Sequence, residues 1–166
     1  MENKLANFTG KIVFIGFGSI AKGVLPLFLR HLPITPDRIR IVTADADDEQ
    51  IASLYGIPYQ QIRLTENNYR QVLEPLLEKG DFLVNLSVFV SSLALMALCH
   101  EKEALYIDTS IEPWEGGYTD TSTSASDRSN YALREAALDF GRKHPGGPTA
   151  IVCQGANPGL VSGFLK

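Results

Sequence analysis

Apolar positions along this chain fall into short continuous runs that alternate with longer segments of helical periodicity. Residues 11–15 form the first apolar run, and residues 19–31 carry their apolar side chains at the spacing of a helix that buries one face. The same order returns later, where the apolar run 81–88 precedes the helical pattern 91–102. The alternation predicts strands and helices that follow one another along the chain.

The other elements follow the same order. Further strands are predicted at 38–42, 59–63, 104–108 and 149–153, and further helices at 48–55, 65–79 and 129–143. Thr65 is expected to cap the helix 65–79, and Pro26 is expected to bend the helix 19–31. Strands that alternate with helices are typical of a parallel sheet covered on both faces. We therefore predict an α/β domain over residues 1–166 with a doubly wound, Rossmann-like parallel sheet.

Net charge and hydropathy limit which classes of partner and which cellular compartment are expected for this chain. The chain has 166 residues, 45% of them hydrophobic, and a net charge of −4. That balance argues against a broad phosphate-binding face, so no nucleic-acid partner is expected. No apolar run reaches about 18 residues, and the N-terminus lacks the apolar segment of a secretory signal. We expect a cytoplasmic protein with no membrane association.

Cysteines and histidines offer no metal site. Cys99 and Cys153 lie far apart without metal-ligand spacing, which predicts reduced thiols, and Cys99 falls in an apolar helical pattern that places it in the core. The three histidines lie near predicted helix C-termini, where an imidazolium interacts favourably with the helix dipole: His31, His100 and His144. We expect no catalytic histidine and no metal.

The glycine-rich stretch after the first apolar run has the pattern of a dinucleotide-binding turn. Gly16, Gly18 and Ala21 follow the G-x-G-x-x-A spacing, with a predicted strand before them and a helix that starts near Ser19. Gly16 permits a tight turn, Gly18 lets phosphates approach the backbone, and Ala21 allows close packing of helix on strand. We therefore predict that the turn binds a dinucleotide and does not merely reverse the chain.

The end of the second predicted strand bears on the choice between NAD and NADP. An acid that binds the adenosine ribose is expected about 20 residues after the glycines. Asp45 stands there, two residues past Thr43, and either residue is a candidate for the ribose. Asp47 and Asp48 are expected to start the next helix. No arginine falls between residues 41 and 50, which disfavours a 2′-phosphate and favours NAD.

Polar residues also follow the strongest apolar run. Asn85 and Ser87 stand where the ribose of a nicotinamide would lie, because ligands of such sheets bind at the carboxyl ends of the strands. Ser91 or Ser92 is expected to cap the next helix instead.

Four polar residues remain as candidates for contact with the reactive end of the cofactor. Asp108, Thr109 and Glu112 follow the strand 104–108. Glu112 could bind or deprotonate an amine, and the alternative is a solvated loop carboxylate. Asn157 lies in another strand-to-helix turn, "QGANPGLVSG", whose alternative is a plain turn with proline at the helix start.

Five stretches in order resemble the N-terminal, NAD-binding portion of the bacterial homospermidine synthases: "FIGFGSIAKGVLPL", "VNLSV", "LYIDTSIEPW", "RSNYALRE" and "GANPGLVS". The resemblance spans Lys11 to Phe164, and the family is similar in fold to saccharopine dehydrogenase. It implies an enzyme that keeps NAD as a prosthetic group and oxidises one putrescine to an imine with loss of ammonia. A second putrescine would add, and the new imine would be reduced to homospermidine.

The resemblance also implies roles for individual residues. It places the cofactor phosphates against Gly16, Gly18, Ser19 and Ile20. It places the ribose and nicotinamide against Asn85, Ser87 and Thr109. It places the diamine, putrescine or a related one, against Glu112 and Asn157.

Two departures from the family bear on these roles. The family commonly ends its second strand with an acid, where this chain has Thr43, and its large second domain lies beyond Lys166. We therefore expect a truncated cofactor domain, inactive alone, from a protein that is a homo-oligomer in its full-length form. Two other functions stay open: a saccharopine- or carboxynorspermidine-type dehydrogenase that releases its reduced cofactor, and a non-catalytic NAD-binding module.

Overall fold

The structure, a computed structural model, describes residues 6–155 and 159–165. The strands within these residues are β1 (Ile12–Ile15), β2 (Ile39–Thr43), β3 (Tyr59–Gln61), β4 (Phe82–Asn85), β5 (Leu105–Asp108) and β6 (Ala150–Ile151). The α-helices are α1 (Ser19–His31), α2 (Glu49–Leu54), α3 (Tyr69–Leu73), α4 (Ser92–Glu101), α5 (Asn130–Lys143) and α6 (Leu160–Phe164). Short 3₁₀ turns lie at Pro36–Arg38 and Glu74–Leu76.

The six strands form one parallel sheet in the order β3-β2-β1-β4-β5-β6. This is the strand order of a doubly wound dinucleotide-binding fold, which confirms the predicted fold class. Ile15 pairs with Val42 on one side and with Asn85 on the other, and Asn85 pairs with Asp108. The carboxyl ends of four strands therefore lie in one row, beside the point where the strand order reverses between β1 and β4.

Both faces of the sheet are buried, because the side chains of each strand alternate between two hydrophobic clusters. In β1, Ile12 and Phe14 pack with Leu25 of α1. Val13 and Ile15 point to the opposite face, in the cluster that contains Leu95 of α4. The central strands β1, β2 and β4 are almost fully buried, whereas the edge strands β3 and β6 are mostly exposed. Among the described residues, no helix has the length and apolar character needed to cross a bilayer.

The predicted helix 65–79 is wrong in both its start and its length. The side chain of Asn68 accepts a hydrogen bond from the Thr65 backbone N–H at 2.8 Å, which folds 65–68 into a turn and leaves Asn68, not Thr65, at the N-cap position of α3. The helix then ends at Leu73, where Pro75 brings in a 3₁₀ turn because it has no N–H to donate.

Three predicted strands are also shorter than expected, and one of them, predicted at 59–63, is β3 and ends at Gln61. The run 81–88 stops being a strand at Asn85, whose side-chain oxygen accepts from the backbone N–H of Ser87 at 3.2 Å. The strand β6 ends at Ile151, and Cys153 just beyond it has a φ of +59°, which no extended strand adopts. The helix α1 spans its predicted bounds with Pro26 inside it.

Candidate functional site

The turn between β1 and α1 is built from backbone alone. The backbone N–H of Gly16 donates to the Val42 carbonyl at 2.8 Å, which fixes the turn against β2. Gly18 is the N-cap of α1 and provides no side-chain acceptor for the first helical N–H groups. A helix of 13 residues therefore starts at Ser19 with its N–H groups and its positive dipole end available to an anion.

Gly16 and Gly18 are glycines for different structural reasons. Gly16 has a φ of +82°, and a Cβ there would lie 3.0 Å from the backbone of Ser87. Gly18 has an ordinary φ of −82°, and a Cβ there would meet no described atom within 4 Å. Gly16 is therefore needed by the fold, whereas the space beside Gly18 is open to a ligand.

A cleft of about 390 Å³ extends from this turn along the carboxyl ends of β1 to β4. It brings together the predicted residues Gly16, Gly18, Thr43, Asp45 and Ser87. Thr43 is buried, Asp45 is exposed, and the Tyr59 hydroxyl donates to the Asp45 carbonyl oxygen. Asp48 starts α2 as expected, but its carboxylate binds Lys22 of α1 at 2.9 Å and so holds the two helices together.

The cleft also contains a cation that the search of the sequence missed. Arg63 follows β3, lines the cleft and forms an ion pair with Glu115 at 3.3 Å. Arg63 lies outside residues 41–50 and reaches the cleft from the end of β3, which pairs with β2. The signal that could have found it is a cationic residue just beyond a predicted strand of the same sheet.

Polar side chains behind the cleft form a continuous chain of hydrogen bonds, here called the buried polar chain. Its members are Ser87, Asn85, Tyr106, Asp108 and Cys153. The Ser87 hydroxyl donates to the Asn85 side-chain oxygen at 2.6 Å. The Asn85 amide donates to the Tyr106 hydroxyl at 3.3 Å, and that hydroxyl donates to Asp108 at 2.8 Å. The other oxygen of Asp108 accepts from the backbone N–H of Cys153 at 2.6 Å.

Burial dominates the electrostatics of this chain. Asn85, Tyr106 and Asp108 are each at most 1% exposed. Burial raises the pKa of Asp108, and the Cys153 N–H and the hydroxyls of Tyr106 and Ser92 oppose that rise by stabilising the carboxylate. The pKa of Tyr106 lies well above its usual value, chiefly because of burial and the nearby Asp108 charge. Tyr106 is therefore a hydroxyl that donates to a carboxylate.

Glu112 lies half-buried in the loop after β5. Its backbone N–H donates to the Ser92 hydroxyl at 3.0 Å, and its carbonyl accepts from the Ser92 backbone at 2.9 Å, so the start of α4 fixes this loop. The Ser110 hydroxyl donates to its carboxylate at 3.3 Å. Burial, followed by the charge of Glu112, raises the pKa of Tyr118. Thr109 directly follows β5 and is also half-buried.

Asn157, the second candidate at the reactive end, lies outside the described residues. Cys99 is buried as predicted, and burial raises its pKa to about 12. The pKa of Cys153 is also raised by burial, which does not favour a nucleophilic thiolate. Ser91 caps α4, as predicted, by accepting from the Ala94 N–H at 3.2 Å.

A second cleft, of about 500 Å³, lies against β6 between α4 and α5. It contains His100 and His144, whose rings are 4.9 Å apart. These histidines lie at the C-terminal ends of the two helices, as His31 does for α1. The cleft therefore faces the amino ends of the strands, away from the edge where ligands of such sheets bind.

Comparison with known proteins identifies the family of the site. The model of the saccharopine dehydrogenase NADP-binding domain matches residues 12–151. The homospermidine synthase of Blastochloris viridis is 51% identical over 162 residues, which are 95% of this chain and 34% of that protein. The homospermidine synthase of Mesorhizobium japonicum is 44% identical over 177 residues, with 100% of this chain and 36% of that protein covered.

A solved structure is also similar to this chain. The crystal structure of homospermidine synthase from Legionella pneumophila in complex with NAD matches with a TM-score of 0.84 at 35% identity. The match covers 99% of this chain and 33% of that one. The chain thus spans about a third of the length of the relatives it matches.

Proposed function

The chain belongs to the saccharopine dehydrogenase NADP-binding-domain family, and from that premise we propose that it is the NAD-binding portion of a homospermidine synthase. The observation that carries the proposal is the open space beside Gly18 at the start of α1, in a fold whose relative of 35% identity holds NAD. The 44% and 51% identities to two homospermidine synthases support the choice of reaction.

In the proposed reaction, two molecules of putrescine give one homospermidine and one ammonia, with no net oxidation. NAD, when bound, would accept a hydride from the first amine and return it to the imine that the second amine forms. The residues of this chain then have two tasks: they hold the cofactor at the carboxyl edge of the sheet, and they stabilise positive charge on the amine.

The glycine turn and the strand ends around it would bind the cofactor. The N–H groups that follow Gly18, those of Ser19 and Ile20 included, would bind the pyrophosphate, since the helix end provides donors and a positive dipole. Asp45 or Thr43 would accept a hydrogen bond from the adenosine ribose. At the other end Ser87 and Thr109 would line the ribose and nicotinamide, and Asn85, which is buried, would hold Ser87 in place.

Glu112 would stabilise the cation that develops when an amine becomes an iminium. Its loop is fixed by two backbone hydrogen bonds to Ser92, so the carboxylate starts from a rigid position. A positioned carboxylate in a partly buried site stabilises nearby positive charge more strongly than one in water does. Asn157 would provide a further polar contact to the diamine. Further groups that hold the diamine would come from a region that corresponds to the part of the relatives outside the match with this chain.

The compartment and assembly complete the proposal. Both cysteines are free thiols, which suits a reducing cytoplasm. The full-length protein would be a homo-oligomer that takes putrescine or a related diamine as substrate.

The test is a product assay with isotope-labelled substrate. The full-length protein is incubated with NAD and putrescine that carries deuterium next to nitrogen, and homospermidine and ammonia are measured by chromatography. We expect equal amounts of both products, retention of the transferred deuterium in homospermidine, and no build-up of free NADH. Residues 1–166 alone should form no homospermidine, and turnover by this chain would contradict the two-part site.

The family name itself favours one alternative, a saccharopine-type dehydrogenase that uses NADP. Such an enzyme would release its reduced cofactor in each turnover. Free NADPH or NADH in proportion to product, with the deuterium on the nicotinamide, would establish that alternative and overturn the synthase proposal.

A further inference from the structure

The hydrogen bonds of the buried polar chain all point toward Asp108. Each hydroxyl or amide donates toward Asp108: Ser87 to Asn85, Asn85 to Tyr106, and Tyr106 to the carboxylate. Cys153 donates to Asp108 from the opposite side. Both oxygens of Asp108 therefore accept, and this is the pattern of an ionised carboxylate.

The direction of the chain determines how Ser87 is held. The Asn85 side-chain oxygen accepts both the hydroxyl and the backbone N–H of Ser87, at 2.6 and 3.2 Å. The Asn85 side-chain oxygen can face Ser87 only while the Asn85 amide nitrogen faces the Tyr106 hydroxyl. The proton of that hydroxyl is then donated to Asp108. Ser87 in turn packs against Gly16, where a Cβ would come within 3.0 Å of its backbone.

From this geometry we propose that Asp108 is a positioning residue that sets the direction of the buried polar chain and thereby holds Ser87 against the glycine turn for the cofactor. The inference rests on the proposed cofactor site. A positioning role also accounts for the presence of Asp108, an acid that is fully buried and does not line the cleft.

An asparagine at position 108 tests the direction, because it can accept from only one of its two neighbours. If its nitrogen faced Cys153, two donors would oppose each other where 2.6 Å now separates donor and acceptor. If its oxygen keeps Cys153, its nitrogen donates to Tyr106, and the Tyr106 proton must turn either to Ser92, whose hydroxyl also contacts Tyr106, or to Asn85. Where it turns to Asn85, the Asn85 amide must turn over. The backbone N–H of Ser87 then loses its acceptor. A partly buried donor without an acceptor is costly, so Ser87 should leave its position.

A swap of the two side chains restores every bond and reverses only the two that Tyr106 makes. In the double variant Asn85→Asp, Asp108→Asn, the carboxylate at 85 accepts from Ser87 and from the Tyr106 hydroxyl. The asparagine at 108 donates to Tyr106 and accepts from Cys153. The swap keeps shape and net charge, so it separates the direction of the chain from its composition.

The experiment compares the wild type, Asp108→Asn and the swap in the full-length protein. NAD affinity is measured by calorimetry, and Ser87 amide protection by hydrogen exchange without cofactor. We expect Asp108→Asn to weaken NAD binding roughly tenfold and to speed Ser87 exchange by a similar factor, since one partly buried donor loses its partner. The swap should recover a clear part of both losses. Asp37→Asn, an exposed acid in the turn before β2, is the matched control and should change neither.

Two results would overturn the inference: a folded Asp108→Asn with wild-type affinity and protection, or a swap no better than Asp108→Asn. If Asp108→Asn alone does not fold, the swap must still fold and protect Ser87, and an unfolded swap contradicts the proposal. Failure of the wild type to bind NAD would refute the proposed function instead, and Ser87 exchange would still decide the role of Asp108.

Discussion

The glycine turn and the buried polar chain lie side by side at the carboxyl edge of the sheet, and they are built in opposite ways. The turn offers backbone N–H groups beside open space at Gly18. The buried polar chain has three fully buried side chains, those of Asn85, Tyr106 and Asp108, between the half-buried Ser87 and Cys153. Among the described residues every buried side-chain nitrogen or oxygen has a partner. The turn is therefore sensitive to added volume, whereas the chain is sensitive to the exchange of a donor for an acceptor.

The largest expected effect comes from adding volume at the turn. Gly18→Val should weaken NAD binding by roughly a thousandfold, about 4 kcal/mol, because the branched side chain occupies the space of the pyrophosphate. The fold should survive, since the φ of Gly18 is −82° and its Cβ would meet no described atom within 4 Å. Calorimetric titration with circular dichroism checks both statements. Normal NAD binding by the folded variant would refute the phosphate site.

Glu112 lies outside both regions, and its substitution tests the proposed role of its charge in catalysis. Glu112→Gln in the full-length protein keeps the shape of the side chain and removes its charge. We expect kcat/KM to fall by roughly tenfold to a thousandfold, about 1.4 to 4 kcal/mol, while NAD affinity changes little. Steady-state kinetics and titration measure the two effects. Unchanged kinetics would leave Glu112 as a solvated loop carboxylate.

Gly16 sharpens the contrast inside the turn itself. Gly16→Ala should lower the free energy of unfolding by about 1 to 3 kcal/mol, because a left-handed residue gains a Cβ that also presses on Ser87. Gly18→Ala is the matched control, and its unfolding free energy should change far less. Denaturant titration of both variants is the measurement. Equal losses would show that the two glycines do not divide their roles between fold and ligand.

Cofactor choice is expected to show the smallest effect. NAD should bind roughly tenfold more tightly than NADP, about 1.4 kcal/mol, because Asp45 repels a 2′-phosphate and Glu115 neutralises the nearby Arg63. Parallel titrations decide the matter. Glu115→Gln, which frees Arg63, should narrow the preference. Equal affinities in the wild type would remove Asp45 from the site.

The same comparison explains which features the sequence could reveal. The turn was predictable because its chemistry is local: an apolar strand, two glycines and a helix start follow one another within residues 12–31. The buried polar chain was not, because Asp108 finds Cys153 45 residues away, across the β5–β6 pair. One clue was available, since Tyr106 and Asp108 are two apart on a strand and therefore share a face.

Local side-chain chemistry caused the main error in the fold. The apolar pattern of 65–79 suits a helix, but Asn68 binds the Thr65 backbone and Pro75 cannot donate, so only α3 and a 3₁₀ turn form. Arg63 was missed for a different reason, because its place in the cleft depends on the pairing of β2 with β3. Strand order brings such residues together, and periodicity alone does not encode it.

The most direct test of the account is a calorimetric titration of the 166-residue chain with NAD. The two hydrophobic clusters that cover the sheet predict a folded chain, and the groups proposed to bind the phosphates all lie within one turn and the start of α1. We predict saturable binding at a single site. A chain that is folded by circular dichroism and shows no binding of NAD would contradict the central claim that this domain holds the cofactor by itself.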